Sequence, residues 1–280
     1  MDIVVGGFGE LRNAACPGIE QLILKAGGNA SNDSDDAALL SRGRLLADVP
    51  SPTWMELHTA ADGSQVLYAV LEDTNEIASF RVEGAGDSLR LVELSRVPTP
   101  GHAVTHVVFV RDDEGQGRLI TADYADGYVC VHPVTESGVI LEVAQMLRGE
   151  GHGPLPKPDQ AVSLAFVPWN ALQGNAGAVA ASEGIAGLAY VGLRGSERIV
   201  TLLWDGKRLT RLDEPDVPGW RGRGIDCAGS RPRHLLAIGN LLLAANEASN
   251  NVAIFRLSAD GEPNLAATLP SGAPTVFVRL

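Results

Sequence analysis

The sequence predicts an all-β propeller made of four-stranded antiparallel blades, and three observations carry that reading. Short segments with alternating or β-branched apolar positions recur along the chain, turn residues bound each of them, and they fall into groups of four at a period of tens of residues. The two chain ends also supply the missing strands of one shared group, which is how a closed repeat fold latches itself.

The clearest group runs from Thr53 to Pro98 as TWMELHT, QVLYAVLE after an Asp62-Gly63 turn, EIASFRVE and LRLVELSRVP. The order returns between Val104 and Met146 as VTHVVFVR, GRLITADY, YVCVHPV and VILEVAQM, with Asp126-Gly127 as a tight hairpin. A third group is AVSLAFVP, GLAYVGLR, RIVTLLW and RLTRLDE, and a fourth is RHLLAIG, LLLAANE, NVAIFRL and LAATLPS. The C-terminal TVFVRL joins the N-terminal DIVVGGF, GIEQLILKA and RGRLLADV in a fifth blade. Five blades in a single domain over residues 1–280 are therefore expected. Six or seven would need degenerate strands hidden in two inserts, residues 170–187 and 214–232, which are rich in small residues and in Gly, Pro and Arg respectively.

Composition narrows the function classes. A formal net charge of −12, with acidic residues scattered along the chain, opposes nucleic acid and anionic membranes as partners. The main basic cluster, Arg221, Arg223, Arg231 and Arg233, lies among Gly and Pro without an aromatic stripe and suits a small anion better than a strand of nucleic acid. Cys16, Cys130 and Cys227 are far apart with no CxxC spacing, which points to buried thiols and away from zinc or a redox pair. No apolar run approaches the roughly 20 residues that span a bilayer, and the opening residues lack a charged leader, so a cytoplasmic protein without cofactor or metal is expected. GxSxG, HExxH and P-loop patterns are missing, GGFGE reads as a blade turn, and one Trp204-Asp205 pair makes no WD repeat.

These segments resemble the lactonase-type seven-bladed propellers, which include 6-phosphogluconolactonase and the carboxymuconate cyclases. IVVGGF with GIEQLILK is similar to the opening blade, and SPTWMEL, LYAVLE and IASFRVE to the second. ADYADGYVCVHPV, YVGLRGSERIVTL and, most specifically, RPRHLLAIGNLLLAANEASNNVAIFRL continue the likeness. Two departures stand out: material for five blades where the family has seven, and PDQAVSL, with Asp159 and Gln160, where the family carries Pro-His-x-His.

The resemblance implies a hydrolase that opens a small anionic sugar lactone. Such chemistry needs a base for an attacking water and cationic donors for the developing oxyanion. Glu247 or His234 is the expected base. Arg194 and Arg233 are expected to hold a phosphate or carboxylate of the substrate through their planar, permanently charged forks. His152, in GEGHGP, stands close to the departed histidines and is a further substrate-binding candidate. His102 and His106 flank a strand start, where turn and core needs explain their surroundings; His58 and His132 lie on strands and read as structural. The competing reading is a catalytically inactive propeller that binds a protein partner or metabolite at its rim, with Arg233 and Glu247 merely paired to each other.

Overall fold

A computed structural model describes residues 1–24, 39–148, 161–168, 186–211 and 224–280. Its strands form five antiparallel blades of four strand positions each, the all-β propeller fold that the repeats predict. They divide into two compact units, one holding three blades and the other two.

In the first unit, β1 (Asp2–Gly7), β2 (Ile19–Leu24) and β3 (Leu40–Ala47) are completed by β21 (Pro274–Arg279), in the order β21-β1-β2-β3. The first and last strands thus share a blade. The next blade is β4 (Pro52–Thr59), β5 (Gln65–Leu71), β6 (Glu76–Glu83) and β7 (Arg90–Pro98). The third is β8 (Val104–Arg111), β9 (Gly117–Asp123), β10 (Tyr128–Val134) and β11 (Gln145–Arg148).

The second unit holds β12 (Ala161–Pro168), β13 (Gly187–Leu193), β14 (Arg198–Trp204) and β15 (Leu209–Arg211), then β17 (Pro232–Ile238), β18 (Leu241–Asn246), β19 (Asn251–Leu257) and β20 (Pro263–Pro270). A two-residue strand, β16 (Ile225–Asp226), pairs with the start of β14 while β15 pairs with its end, so two pieces share one outer position. Part of the second insert is therefore strand. The first insert, residues 170–187, lies outside the described residues up to 185.

Burial explains the sequence pattern. Second strands such as β1 and β18 are buried at every position, which matches their nearly continuous apolar runs, whereas β7 on the outside of its blade has no buried residue. Each unit packs its own cores: Leu67, Leu71, Phe80 and Val276 meet in the first, and Leu188, Tyr190, Leu242 and Phe255 in the second. Burial of such a side chain contributes about 1.5–3 kcal/mol relative to exposure. The expected VILEVAQM strand differs from what forms. Ile140 makes only an isolated bridge to Val134, and the strand proper begins at Gln145. The amides of Leu141 and Ala144 donate to Pro133 and Val131, so three residues are laid against two and the segment bulges.

Blade junctions repeat in detail. Ser51, Ala103, Arg231 and Ala273 stand just ahead of β4, β8, β17 and β21, and all have positive φ, between 33° and 57°. That left-handed conformation costs roughly 1–2 kcal/mol for a residue with a Cβ. The carbonyls of the first three accept hydrogen bonds from Glu72, Tyr124 and Glu247, each the first residue after a second strand. At the far end of those hairpins, the carbonyls of Asn75 and Asn250 accept from Thr99 and Ser271, and the Asn side chains accept from the amides of Ala103 and Ala273.

The last residue of the second strand adds a buried polar contact. Asn246 donates its side-chain amide to the Cys227 carbonyl, and a Cβ on Gly229 would strike that amide. The equivalent pair is Asp123 and Gly101, with the same steric need for glycine. Asp123 accepts from the Cys130 thiol at 3.6 Å, but its Oδ1 has no partner among the described residues. Burial raises its carboxyl above the ordinary range. The folded state therefore favours the protonated acid, and stability present below the ordinary value near 3.8 falls as pH rises through the folded one. Asp123→Asn, which installs the residue found at the equivalent junction, should raise stability at neutral pH by on the order of 1 kcal/mol and flatten its pH dependence. Chemical denaturation at several pH values measures both effects.

Candidate active site

The expected site residues Arg194, Arg233, His234 and Glu247 all lie in the second unit, at strand ends that the junction geometry fixes. Arg194 is the first residue of the hairpin after β13, and Glu247 the first after β18. Arg233 is the bulged residue of β17: Pro232 faces Asn246 and His234 faces Ala245, leaving Arg233 without a partner position on β18. First strands β4 and β8 carry the same bulge at Thr53 and Thr105. Such a bulge turns its side chain out of the strand's alternation, and here it is aimed at the hairpin of its own blade.

Three of the four meet at one carboxylate. Glu247 Oε2 accepts from Arg194 at 3.2 Å and from Arg233 at 3.4 Å, while Arg231 approaches Oε1 at 4.0 Å. Glu247 is 13% exposed, and the Arg194 and Arg233 side chains are 29% and 22% exposed. The group is solvent-reachable, but its carboxylate already serves two guanidinium forks. Arg231, which the sequence places in the basic cluster suited to a small anion but not beside Glu247, joins the group here. Its signals are the left-handed junction position and the Pro that follows it, both part of the repeat.

The first unit has a related arrangement. Glu72, equivalent to Glu247, pairs with Arg12 at 2.8 Å and accepts from the Thr53 hydroxyl, Thr53 being equivalent to Arg233. Arg12 follows β1 as Arg194 follows β13. An Arg–Glu contact across neighbouring hairpins is thus a recurring feature, and the second unit departs from it by adding Arg231 and Arg233. That surplus of positive charge is what distinguishes this end of the β17 blade.

His234 is half-buried on β17, and burial pushes its imidazole down to about 4. It is neutral at physiological pH. The folded state disfavours its charged form, so stability is fully present above the ordinary value of 6.5 and is lost as pH falls from there toward 4. Titration over that window should remove up to about 3 kcal/mol, and His234→Gln should abolish this part of the acid sensitivity, as read by denaturation between pH 4 and pH 7.

His152 lies outside the described residues, as do Asp159, Gln160, Arg221 and Arg223. His102 pairs with Asp126 at 2.6 Å on an exposed turn, and His106 packs against Trp54 with the rings tilted by 31° and their centres 4.6 Å apart. His58 stacks on Phe109, and His132 is fully buried, its Nδ1 donating to the Leu141 carbonyl at 3.3 Å. Cys16, Cys130 and Cys227 are free and buried, with thiols pushed up to about 11 chiefly by desolvation. Among the described residues, no group of three His, Cys, Asp or Glu side chains is placed to hold a metal, and no helix is long and apolar enough to cross a membrane.

Repeated four-stranded blades, a sheet shared by the two ends and a cationic cluster at strand ends define a propeller with a candidate anion site. The family described as lactonase, seven-bladed β-propeller, matches residues 27–166, half of the chain, and the chain belongs to that family. The matched segment ends before Arg194, so the cluster around Glu247 lies beyond it. Among solved structures, the periplasmic gluconolactonase of Pseudomonas aeruginosa aligns at 18% identity with a TM-score of 0.61, covering 99% of this chain and 98% of that one. Candidate 6-phosphogluconolactonases from Bacteroides uniformis and Bacteroides fragilis align at 16% and 15% identity, both with TM-scores of 0.60 and the same coverage. At these identities the likeness concerns the fold. No curated protein matches the chain.

Proposed function

We propose that this protein hydrolyses a small anionic sugar lactone at the cluster around Glu247. The observation that carries the reading is the convergence of Arg194, Arg231 and Arg233 on one carboxylate in a member of the lactonase family. Family membership favours a hydrolase over the inactive scaffold. The substrate class follows that of the structurally similar gluconolactonases.

In this reaction a water adds to the lactone carbonyl carbon, the carbonyl oxygen becomes an oxyanion, and the ring C–O bond then breaks to leave a carboxylate and a hydroxyl. Arg194 and Arg233 suit two tasks, binding the substrate's anionic group and stabilising the oxyanion. Glu247 orients both forks, and its engagement by them favours His234 as the group that takes the proton from water. A neutral imidazole can accept that proton, although a value near 4 makes it a modest base. His152 and a phosphate on the substrate belong to the same reading, and so does a cytoplasmic location, which cell fractionation separates from the periplasmic setting of the Pseudomonas relative.

Proton release from 6-phosphogluconolactone and from gluconolactone, measured above the spontaneous rate, tests the proposal. Arg233→Ala should raise KM for the phosphorylated lactone by about tenfold or more, a charge-assisted contact being worth about 1.5–3 kcal/mol. His234→Gln should lower kcat by on the order of 10²-fold, within the range for a general base. A wild-type protein that accelerates neither lactone contradicts the reading, and full activity in both variants moves the chemistry elsewhere.

A further inference from the structure

The first unit contains a cleft of about 720 Å³ between the β4–β7 and β8–β11 blades, at the strand ends opposite the Glu72 hairpin. Val66, Tyr68, Phe109 and Val134 form its apolar part. A cavity of that size suits a small organic ligand.

Its most informative residue is Tyr68, which has an equivalent in the second unit. Tyr68 faces Ser79 three residues before the end of β5, and Tyr190 faces Thr201 three residues before the end of β13. Tyr190 donates its hydroxyl to the Gly261 carbonyl at 2.6 Å, in the turn between β19 and β20 of the next blade. The turn that corresponds to it beyond Tyr68 is Thr135–Gly138. Both turns close in the same way: the amides of Gly138 and Gly261 donate to Thr135 and Ser258, and both glycines have φ above 80°. Yet the Tyr68 hydroxyl makes no hydrogen bond among the described residues, although the residue is only 1% exposed. The cleft occupies the place where the clamp closes in the other unit. The Tyr68 hydroxyl therefore opens onto the cleft, where water or a ligand can supply the hydrogen bond that the Gly261 carbonyl supplies to Tyr190.

The surrounding groups indicate what that would be. Arg111 lies close enough to Tyr68 to act on it electrostatically, donates to the Gly115 carbonyl at 2.7 Å, and contacts His58 Nε2 at 3.4 Å. Arg81 is tied to Glu83 at 2.7 Å. Facing them are the carboxylates of Asp62, Glu114 and Glu136, with Gln65, Gln116 and Ser137 between. Three carboxylates against two arginines, one of them already paired, disfavour an anion, and the two guanidiniums disfavour a cation. A wholly apolar ligand would strand the amides and hydroxyls. What remains is an uncharged molecule rich in hydroxyls with some C–H surface for Val66, Phe109 and Val134.

We infer that this cleft is a binding site for a neutral sugar, with the Tyr68 hydroxyl and the Arg111 guanidinium as its central hydrogen-bonding pair. The inference is independent of the lactonase reading, because every residue it uses belongs to the first unit and none is assigned to hydrolysis.

The test is isothermal titration of the full chain with D-glucose, maltose and trehalose, with sodium gluconate as the anionic comparator. At least one of the sugars should bind, and Tyr68→Phe should weaken it about tenfold, the equivalent of one lost hydrogen bond in a desolvated site. The same affinity should persist in Arg233→Ala, and the lactonase rate of Tyr68→Phe should equal that of the wild type. Thermal melting supplies the second arm: Tyr190→Phe should lower Tm while Tyr68→Phe leaves it unchanged. No binding of any of the sugars up to about 20 mM, well above the millimolar range expected of a weak site, overturns the inference. So does gluconate that binds the Arg233→Ala variant more tightly than the sugars do, sugar binding that survives Tyr68→Phe or disappears in Arg233→Ala, or a Tm loss in Tyr68→Phe as large as in Tyr190→Phe.

Discussion

One hydrogen bond organises the ends of the blades: the amide after each of three second strands donates to the carbonyl of a left-handed residue that precedes the first strand. The bond joins Glu72 to Ser51, Tyr124 to Ala103 and Glu247 to Arg231. Its consequence is that the first residue of each hairpin, the left-handed residue and the bulged residue of the first strand are held together. In the β17 blade those three positions are Glu247, Arg231 and Arg233, and the charged cluster is a direct result. The same frame carries Glu72, Ser51 and Thr53 in the β4 blade, where it holds a smaller polar group. Function at this end is therefore a matter of which side chains occupy a shared backbone device.

Strain and burial offset each other there. A left-handed Ser, Ala or Arg is unfavourable by itself, and a buried Asp or Asn at the end of a second strand is costly unless bonded. The glycines at 101 and 229 let those polar side chains reach the junction backbone, because a Cβ at either position would collide with them. Asn246 meets this need with a neutral amide, while Asp123 does so with a carboxyl kept above its ordinary range. The two units thus solve one packing problem with different chemistry, as they also do with Tyr68 and Tyr190.

Much of this was legible in the sequence, for a physical reason. Second strands are buried on both faces, so VLYAVL and LLLAAN are continuous apolar runs, and hairpins need Asp-Gly or Asn at fixed places, so strand order and the shared terminal sheet could be read directly. The strand from Val139 to Met146 could not, because its alternating pattern says nothing of a bulge between Leu141 and Ala144. Nor could β16, whose two residues are too short for any periodicity. Of the site, Arg194, Arg233, His234 and Glu247 were visible through family resemblance. Arg231 was visible only as part of a basic cluster suited to a small anion, and nothing in the sequence says that its left-handed backbone turns it toward Glu247. Tyr68 was hidden for a different reason: only comparison with Tyr190 reveals a hydroxyl whose counterpart is bonded.

Amide hydrogen exchange at Glu72, Tyr124 and Glu247 tests the junction most directly. If these bonds hold the blade ends, the three amides exchange as slowly as those inside β5, β9 and β18, despite standing in turns. Exchange at the rates of solvent-exposed turns would contradict the account and remove the basis for placing Glu247 and its arginines together.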